Sequence, residues 1–463
     1  MSLSEKLAKY SSSLTYEDLP EDVVAFAKLC ILDYFGSALA GVNKPPVQMI
    51  SDTVNVMGGN PQATLLTGGK SSVMNAALVN GAASHIVELD DIHKSSIIHA
   101  ATVVVPAALA VAEWKELSGK DLILSVVLGY EVCFRVGEAV SPSHYYYWHN
   151  TATCGTFGSA AAVAKLLQLD DEAYVNALGN AGSQAAGLWE FIEDGAMTKQ
   201  LHPGKAAMNG LLASVLAEKG FTGAKKILEG KRGFFNAMSD EYDSEKITLN
   251  LGKEHKIVEN SFKIHASCRH THAAIDMAIE IFKENEFSVE DISKVEVGAY
   301  KSTMDITDNN NPKTQYESKF SIQYCTALAL VKGSANLNDF NEDDLWNPEI
   351  REVMGKVEAV LDPEVDKDYP VKWGAKVKLH LKNGEVFEKQ SYYPKGDPEN
   401  PVSTEDLQRK FCNLATPLSE DKSKSFSEVL LSLESVANVS DMMSDLSNSI
   451  GVPSEGYVVN EGR

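Results

Sequence analysis

A chain of 463 residues exceeds the size at which one hydrophobic core stops growing, so two domains are expected. Its formal charge of -22 argues against nucleic acid as a partner, because phosphate backbones are held by clustered Lys and Arg, but leaves room for a small anion bound by a few local cations. The hydrophobic fraction of 44% is ordinary for a globular enzyme; with no apolar run of bilayer-spanning length and no apolar targeting core at the N-terminus, a cytoplasmic location without a membrane partner is expected.

The first residues, MSLSEKLAKYSSS, have the look of a capped helix. From Tyr16 to about Val42, apolar residues recur at three- and four-residue intervals, which predicts a helix closing at Gly41, and a second follows around Pro46 to Met57. The Gly-Lys-Ser in PQATLLTGGKSS suggests a phosphate loop only superficially, since Thr64 stands where the motif needs its first glycine. Asn80 to Trp114 is the organising stretch. An apolar helix leads into three acids, Glu88, Asp90 and Asp91, and three histidines, His85, His93 and His99, after which Pro106 is expected to open a second apolar helix. Acids and imidazoles gathered between helices are what proton transfer on a small molecule requires.

Leu117 to Val140 reads as a helix pair with Gly129 at a close approach, and Ala160 to Leu167 as an alanine-rich helix. Strand-like alternation is nearly absent before residue 260, so the first half is expected to be all-helical. Beyond Lys263, ISKVEVGAY and AKVKLHLKNGEVFEKQSYY alternate with period two, and Asn383-Gly384 marks a hairpin. Helices lie between them, which makes an α+β unit. From about Val402 the pattern is helical again through Ser449, and a polar tail containing Gly and Pro follows. The expected architecture is therefore mainly α: a large helical domain from residues 1–262 and 401–463, with 263–400 as a smaller α+β lid.

Four further stretches carry candidate chemistry. YWHNTATCGTFGS sets His149 before a small-residue helix, and MTKQLHPGKAAMNG brings Lys199, His202 and Lys205 together. KIHASCRHTH packs Lys263, His265, Cys268, Arg269, His270 and His272 into ten residues, and SKFSIQY places Ser321 and Tyr324 one helical turn apart. The bland readings remain beside these. His85, His144, His255 and His380 read as ordinary core or surface histidines, the acid cluster as a solvated helix end, and Tyr324 as a core tyrosine with its hydroxyl satisfied. The His/Cys types at 263–272 suit a metal, but their intervals match no closed zinc pattern and no metal is expected. The six cysteines are scattered, which points to buried thiols rather than disulfides, and neither a dinucleotide fingerprint nor a Gly-x-Ser-x-Gly elbow is present.

With these stretches in view, the chain resembles the MmgE/PrpD family, which includes 2-methylcitrate dehydratase, cis-aconitate decarboxylase and iminodisuccinate epimerase. The likeness rests on CILDYFGSALAG, ELDDIHKSSIIHAATVVVPAALAVAE, WHNTATCGTFGSAAAVAKLLQL, MTKQLHPGKAAMNG, KIHASCRHTHAAID and SKFSIQY, six segments in the family's order. The resemblance implies a homodimer with a cofactor-free active site between a helical domain and a lid, acting on a small anionic di- or tricarboxylate, most simply as a dehydratase. Decarboxylation or epimerisation are alternatives and, if departures from the family's pattern disable the site, a carboxylate-binding protein without turnover is a third. Residue by residue it implies the acid motif at Glu88 and Asp91, the central histidine at His99, a site histidine at His149, active-site lysines at Lys199 and Lys263 with Cys268 and His272 in the same lid segment, and a site tyrosine at Tyr324. On chemical grounds Lys199, Lys263 and Arg269 are expected as carboxylate clamps, His99 as the proton-transfer residue held by the catalytic Asp91 or by Glu88, Tyr324 as the partner acid or an oxyanion donor, and His149, His202, Cys268 and His272 as substrate-binding groups. The sequence departs from the family at Glu88, in place of the usual first acid, at Ile92, where threonine is common, and at His99-Ala100, where His-Pro is usual.

Overall fold

The structure, a computed structural model, describes residues 1–450; the polar tail noted in the sequence lies outside them. The protein is mainly α, and the chain divides into two compact units. The first comprises Met1–Ile86, Ile98–Ile257 and the described residues from Leu407 to Ile450; the second comprises Val87–Ile97 and Val258–Asp406. The acid stretch 87–97, expected in the helical domain, groups with the α+β unit.

In the first unit the opening helix Leu3–Ser13 is closed by a capping box between Ser2 and Glu5. Helix Glu21–Gly41 is long and apolar enough to cross a bilayer by length and composition, contrary to the sequence reading, and two thirds of its most apolar window is buried inside the protein. Two short strands, β1 (Ala63–Thr64) and β2 (Lys70–Ser71), form an antiparallel hairpin that takes up the Gly-Lys-Ser, and Lys70 pairs with Glu113 at 2.8 Å. Leu117 to Val140 proves to be one helix, Gly119–Val140, not a pair. Pro106 lies inside helix Ala101–Trp114, where it costs one backbone hydrogen bond, instead of opening it.

Three helices form the centre of this unit: Val73–His85, Asn150–Leu166 and Thr198–Glu218. Their crossings are made at glycine. A Cβ on Gly81 would lie 2.8 Å from the Cα of Gly204, and one on Gly210 would lie 2.6 Å from the backbone nitrogen of Ala160. No other residue permits such an approach, which explains why small residues dominate these segments.

The second unit holds a four-stranded sheet built from β3 (Ile292–Ala299), β4 (Val357–Leu361), β5 (Ala375–Leu381) and β6 (Val386–Ser391), in the order β4-β3-β5-β6. β3 runs parallel to β4 and antiparallel to β5, and the Asn383-Gly384 turn joins β5 to β6 with Gly384 at φ +93°. Ala375, Val377, Leu379 and Leu381 alternate inward on β5, and helix His272–Glu284 packs along that strand.

Stretch 87–97 is strapped into this unit. Ile92 pairs with Ser261 through two backbone hydrogen bonds, and Lys94 reaches Glu399 at 2.8 Å and Asp397 at 3.1 Å. Asp397 is fully buried and also bonds Arg269, so one carboxylate stands between two cations. Although burial opposes it, the two cations hold that carboxyl below the usual carboxylate range. Asp397→Asn is expected to lower the unfolding free energy at pH 7 by about 3 kcal/mol, the cost of leaving buried charge unmatched. Because the folded pKa is depressed, the stabilisation is full above about pH 4, the unfolded value, and is lost as the pH falls through the folded one. Denaturant melts of both proteins at pH 7 and pH 3 check this: the gap should narrow in acid.

Candidate active site

Four imidazoles converge in the first unit. His85 ends helix Val73–His85 and is fully buried. His99 precedes helix Ala101–Trp114, is half-buried, and its backbone N–H donates to Thr151 Oγ1 at 3.1 Å. His149 is the N-cap of helix Asn150–Leu166, with its backbone N–H on the carbonyl of Gly187 at 2.9 Å. His202 and Lys199 occupy the first turns of helix Thr198–Glu218, both buried, while Lys205 is exposed.

The rings touch in sequence. His85 meets His99 edge to face at 5.0 Å between centroids and lies 5.8 Å from His149; His149 and His202 are 5.3 Å apart, with their Nδ1 atoms at 3.1 Å. Trp189 and Phe191 wall the outer side of His149, and Phe191 that of His202. Burial removes the water that would solvate an imidazolium, and like neighbours add repulsion. His149 is thus held well below the usual histidine range, first by burial and then by His202, His85, Lys199 and His99. His202 is brought down to about 4, first by burial and then by His85, Lys205 and Lys199. At neutral pH these two rings are uncharged, which suits them to accept a proton or to donate a neutral N–H.

The second unit gathers a different set around the turn at 87–88. Glu88 sits at φ +61°, an uncommon conformation for a non-glycine residue, and its carbonyl accepts from Lys263 Nζ at 2.9 Å, with its carboxylate at 3.4 Å. The preceding carbonyl, of Val87, accepts from Lys319 Nζ at 2.9 Å. Both lysines are buried. Asp91 is fully buried and accepts from the Asn260 amide at 2.6 Å.

The dense histidine segment keeps His265 and His272 in ring contact at 5.1 Å but gives its histidines separate hydrogen-bond partners. His265 pairs with Asp276 at 2.8 Å, His270 with the Tyr300 hydroxyl at 2.6 Å, and His272 with Arg269. Since Arg269 only donates, His272 Nδ1 is the acceptor at 3.0 Å and its Nε2–H donates to the carbonyl of Ser267 at 3.3 Å, a neutral bracing tautomer. Arg269 itself also donates to the carbonyls of Phe262 and Lys395 besides Asp397, so a substrate carboxylate would have to compete with those contacts. Cys268 is buried and its backbone N–H bonds the carbonyl of Lys319 at 2.9 Å. Tyr324 is fully buried with its hydroxyl unmatched among the described residues; burial pushes the phenol up, and its charged neighbours are Asp344, Arg351 and Asp339.

Two residues escaped sequence reasoning. His85 reads as a lone core histidine, and only its place four residues before Leu89-Asp90-Asp91 hinted at more; Lys319 lay inside SKFSIQY without being singled out. The bland reading suits His144, whose two ring nitrogens contact Thr153 and the Met238 carbonyl, and His380, which bonds Glu296 on the sheet.

Comparison with known proteins adds an independent line. The MmgE/PrpD N-terminal domain matches residues 5–246 and the MmgE/PrpD C-terminal domain matches residues 265–435. Cis-aconitate decarboxylase of Aspergillus terreus is 28% identical over 97% of this chain and 97% of that protein, and the Homo sapiens cis-aconitate decarboxylase is 27% identical over 95% and 93%. The mitochondrial 2-methylcitrate dehydratase of Yarrowia lipolytica is 23% identical over 80% of this chain and 75% of that protein.

The Lys263–Glu88 contact separates structural from chemical roles. Lys263→Ala should cost about 3 kcal/mol by leaving Glu88 buried without its cation, and the added Glu88→Gln change should recover at least about 1 kcal/mol of that. Paired denaturation and turnover measurements read this, the expectation being that stability returns in the double variant while activity does not.

Proposed function

The chain belongs to the MmgE/PrpD family, and from that premise we propose that it is a lyase acting on a small tricarboxylate of the 2-methylcitrate or cis-aconitate class, without a cofactor. The observation that carries this reading is the cluster of His85, His99, His149 and His202 beside Lys199, in which burial keeps the His149 and His202 rings uncharged next to an ammonium.

The chemical difficulty in such reactions is negative charge developing next to a carboxylate. An ammonium fixed in a poorly hydrated site lowers the cost of that charge, because the attraction is not screened by water and the cation does not have to reorganise. Lys199 is placed to do so. His99, half-exposed at the edge of the cluster, moves the proton, while a neutral N–H of the His149 and His202 rings holds the developing oxyanion. Proton abstraction from carbon by His99, with that proton returned to the departing hydroxyl as water, gives dehydration.

A second reading is decarboxylation, favoured by the coverage of the relatives: the cis-aconitate decarboxylases align over 95–97% of this chain, the Yarrowia dehydratase over 80%. In that reaction carbon dioxide leaves first and the cluster returns a proton to carbon.

Incubation with 2-methylcitrate, citrate and cis-aconitate in deuterated water separates these outcomes in one experiment. Dehydration gives an alkene, and decarboxylation gives carbon dioxide with deuterium fixed in the product. Deuterium in recovered substrate with no elimination overturns the lyase assignment. His99→Gln is expected to lower kcat by at least about 100-fold in whichever reaction is found, and full turnover in that variant removes His99 from the mechanism.

A further inference from the structure

His149 and His202 face each other through the same ring atom. Their Nδ1 nitrogens are 3.1 Å apart, both rings are buried, and neither Nε2 has a hydrogen-bond partner among the described residues. Two lone pairs facing at that distance repel, and two N–H groups would clash, so the contact requires one proton on the axis between the rings. A neutral imidazole carries one N–H. The ring that donates Nδ1–H therefore has a lone pair at Nε2, and the ring that accepts must carry Nε2–H.

We propose that His202 is a positioning residue for His149: the single proton on the Nδ1–Nδ1 axis forces the two rings into opposite tautomers, so that the pair offers one basic Nε2 and one donating Nε2–H. This rests on the carboxylate-lyase reading for its chemical use, although the pairing does not depend on it. The surroundings support one proton rather than two. His85, His99 and Lys199 face His149, and His85, Lys199 and Lys205 act on His202, so among the described residues the ionisable groups acting on the pair from the helices and the 98–100 segment are imidazoles and ammoniums. Glu190 and Glu193, on the adjacent strip, are exposed. A second proton would place an imidazolium among them without water.

Backbone geometry holds the rings together. The carbonyl of Gly187 fixes the His149 backbone, and a Cβ at Gly187 would stand 3.3 Å from His202 Nδ1, so the absence of a side chain there keeps room for the pair. The pair can also pass a proton with atoms and charge balanced. Uptake at the basic Nε2 lets the shared proton cross to the other Nδ1, and that second ring releases its own Nε2–H. Net charge is unchanged and the tautomers have exchanged.

The test begins without substrate. Heteronuclear NMR of the full chain labelled with 15N-histidine, assigned with His149→Gln and His202→Asn, should show at pH 7 two neutral rings of opposite tautomer. Two Nε2–H rings, or a cationic ring in either position, overturns the proposal. Kinetics follow. His202→Phe should lower kcat by about 100-fold with KM changed less than about threefold and should shift the acid limb of the pH profile; His202→Asn, whose amide overlies Nδ1, should recover at least about tenfold. Equal losses in the two variants with an unshifted pH profile overturn it and leave His202 a packing residue. A protein that converts none of the carboxylates yet shows the paired tautomers refutes the functional reading alone.

Discussion

The first unit depends on helix crossings made without side chains. Helix Val73–His85 meets helix Thr198–Glu218 at Gly81 and Gly204, and the latter meets helix Asn150–Leu166 at Gly210. Backbones that approach this closely exclude water from the volume beside them, and the chemistry follows from that exclusion. His85, His149 and His202 stand at or near the ends of those helices, so tight packing along the axes also fixes the imidazoles at the termini. A histidine in such a place cannot easily carry charge. The packing thus sets the protonation state as well as the position of these groups.

The second unit solves a different problem. A loop rich in acids must be held in a buried setting, and buried carboxylates are tolerated only when matched. Asp397 binds Lys94 and Arg269, Glu88 binds Lys263, and Asp91 binds the Asn260 amide. Lys319 adds a charge-assisted bond to the carbonyl next to Glu88, on a turn whose positive φ needs outside support. These contacts explain why Arg269 and His272, striking in sequence as candidate ligands of substrate, are so heavily engaged within the protein itself.

Overall charge says little about either place. The chain carries -22, yet the charged groups acting on His149 and His202 are cationic.

Much of this protein was written along the chain. Period-three and period-four spacing placed the helices, period-two spacing and Asn383-Gly384 placed the β5–β6 hairpin, and six ordered segments were enough for the family. Local patterns such as these report on neighbours a few residues away, and so they also mislead: Leu117 to Val140 reads as two helices and Pro106 as a helix start, where the structure has one helix, Gly119–Val140, and a proline inside helix Ala101–Trp114. Which side chains meet is another matter. Nothing in the spacing of His85, a seemingly isolated core residue, shows that its ring lies 5.0 Å from His99, nor that His149 and His202, 53 positions apart, share a proton axis. Nor does it show that the three histidines of 263–272 turn to three separate partners. Those outcomes were decided by helix crossings and loop strapping, because contact between distant residues depends on how whole elements pack, and only that packing determines which ionisable groups lose their water.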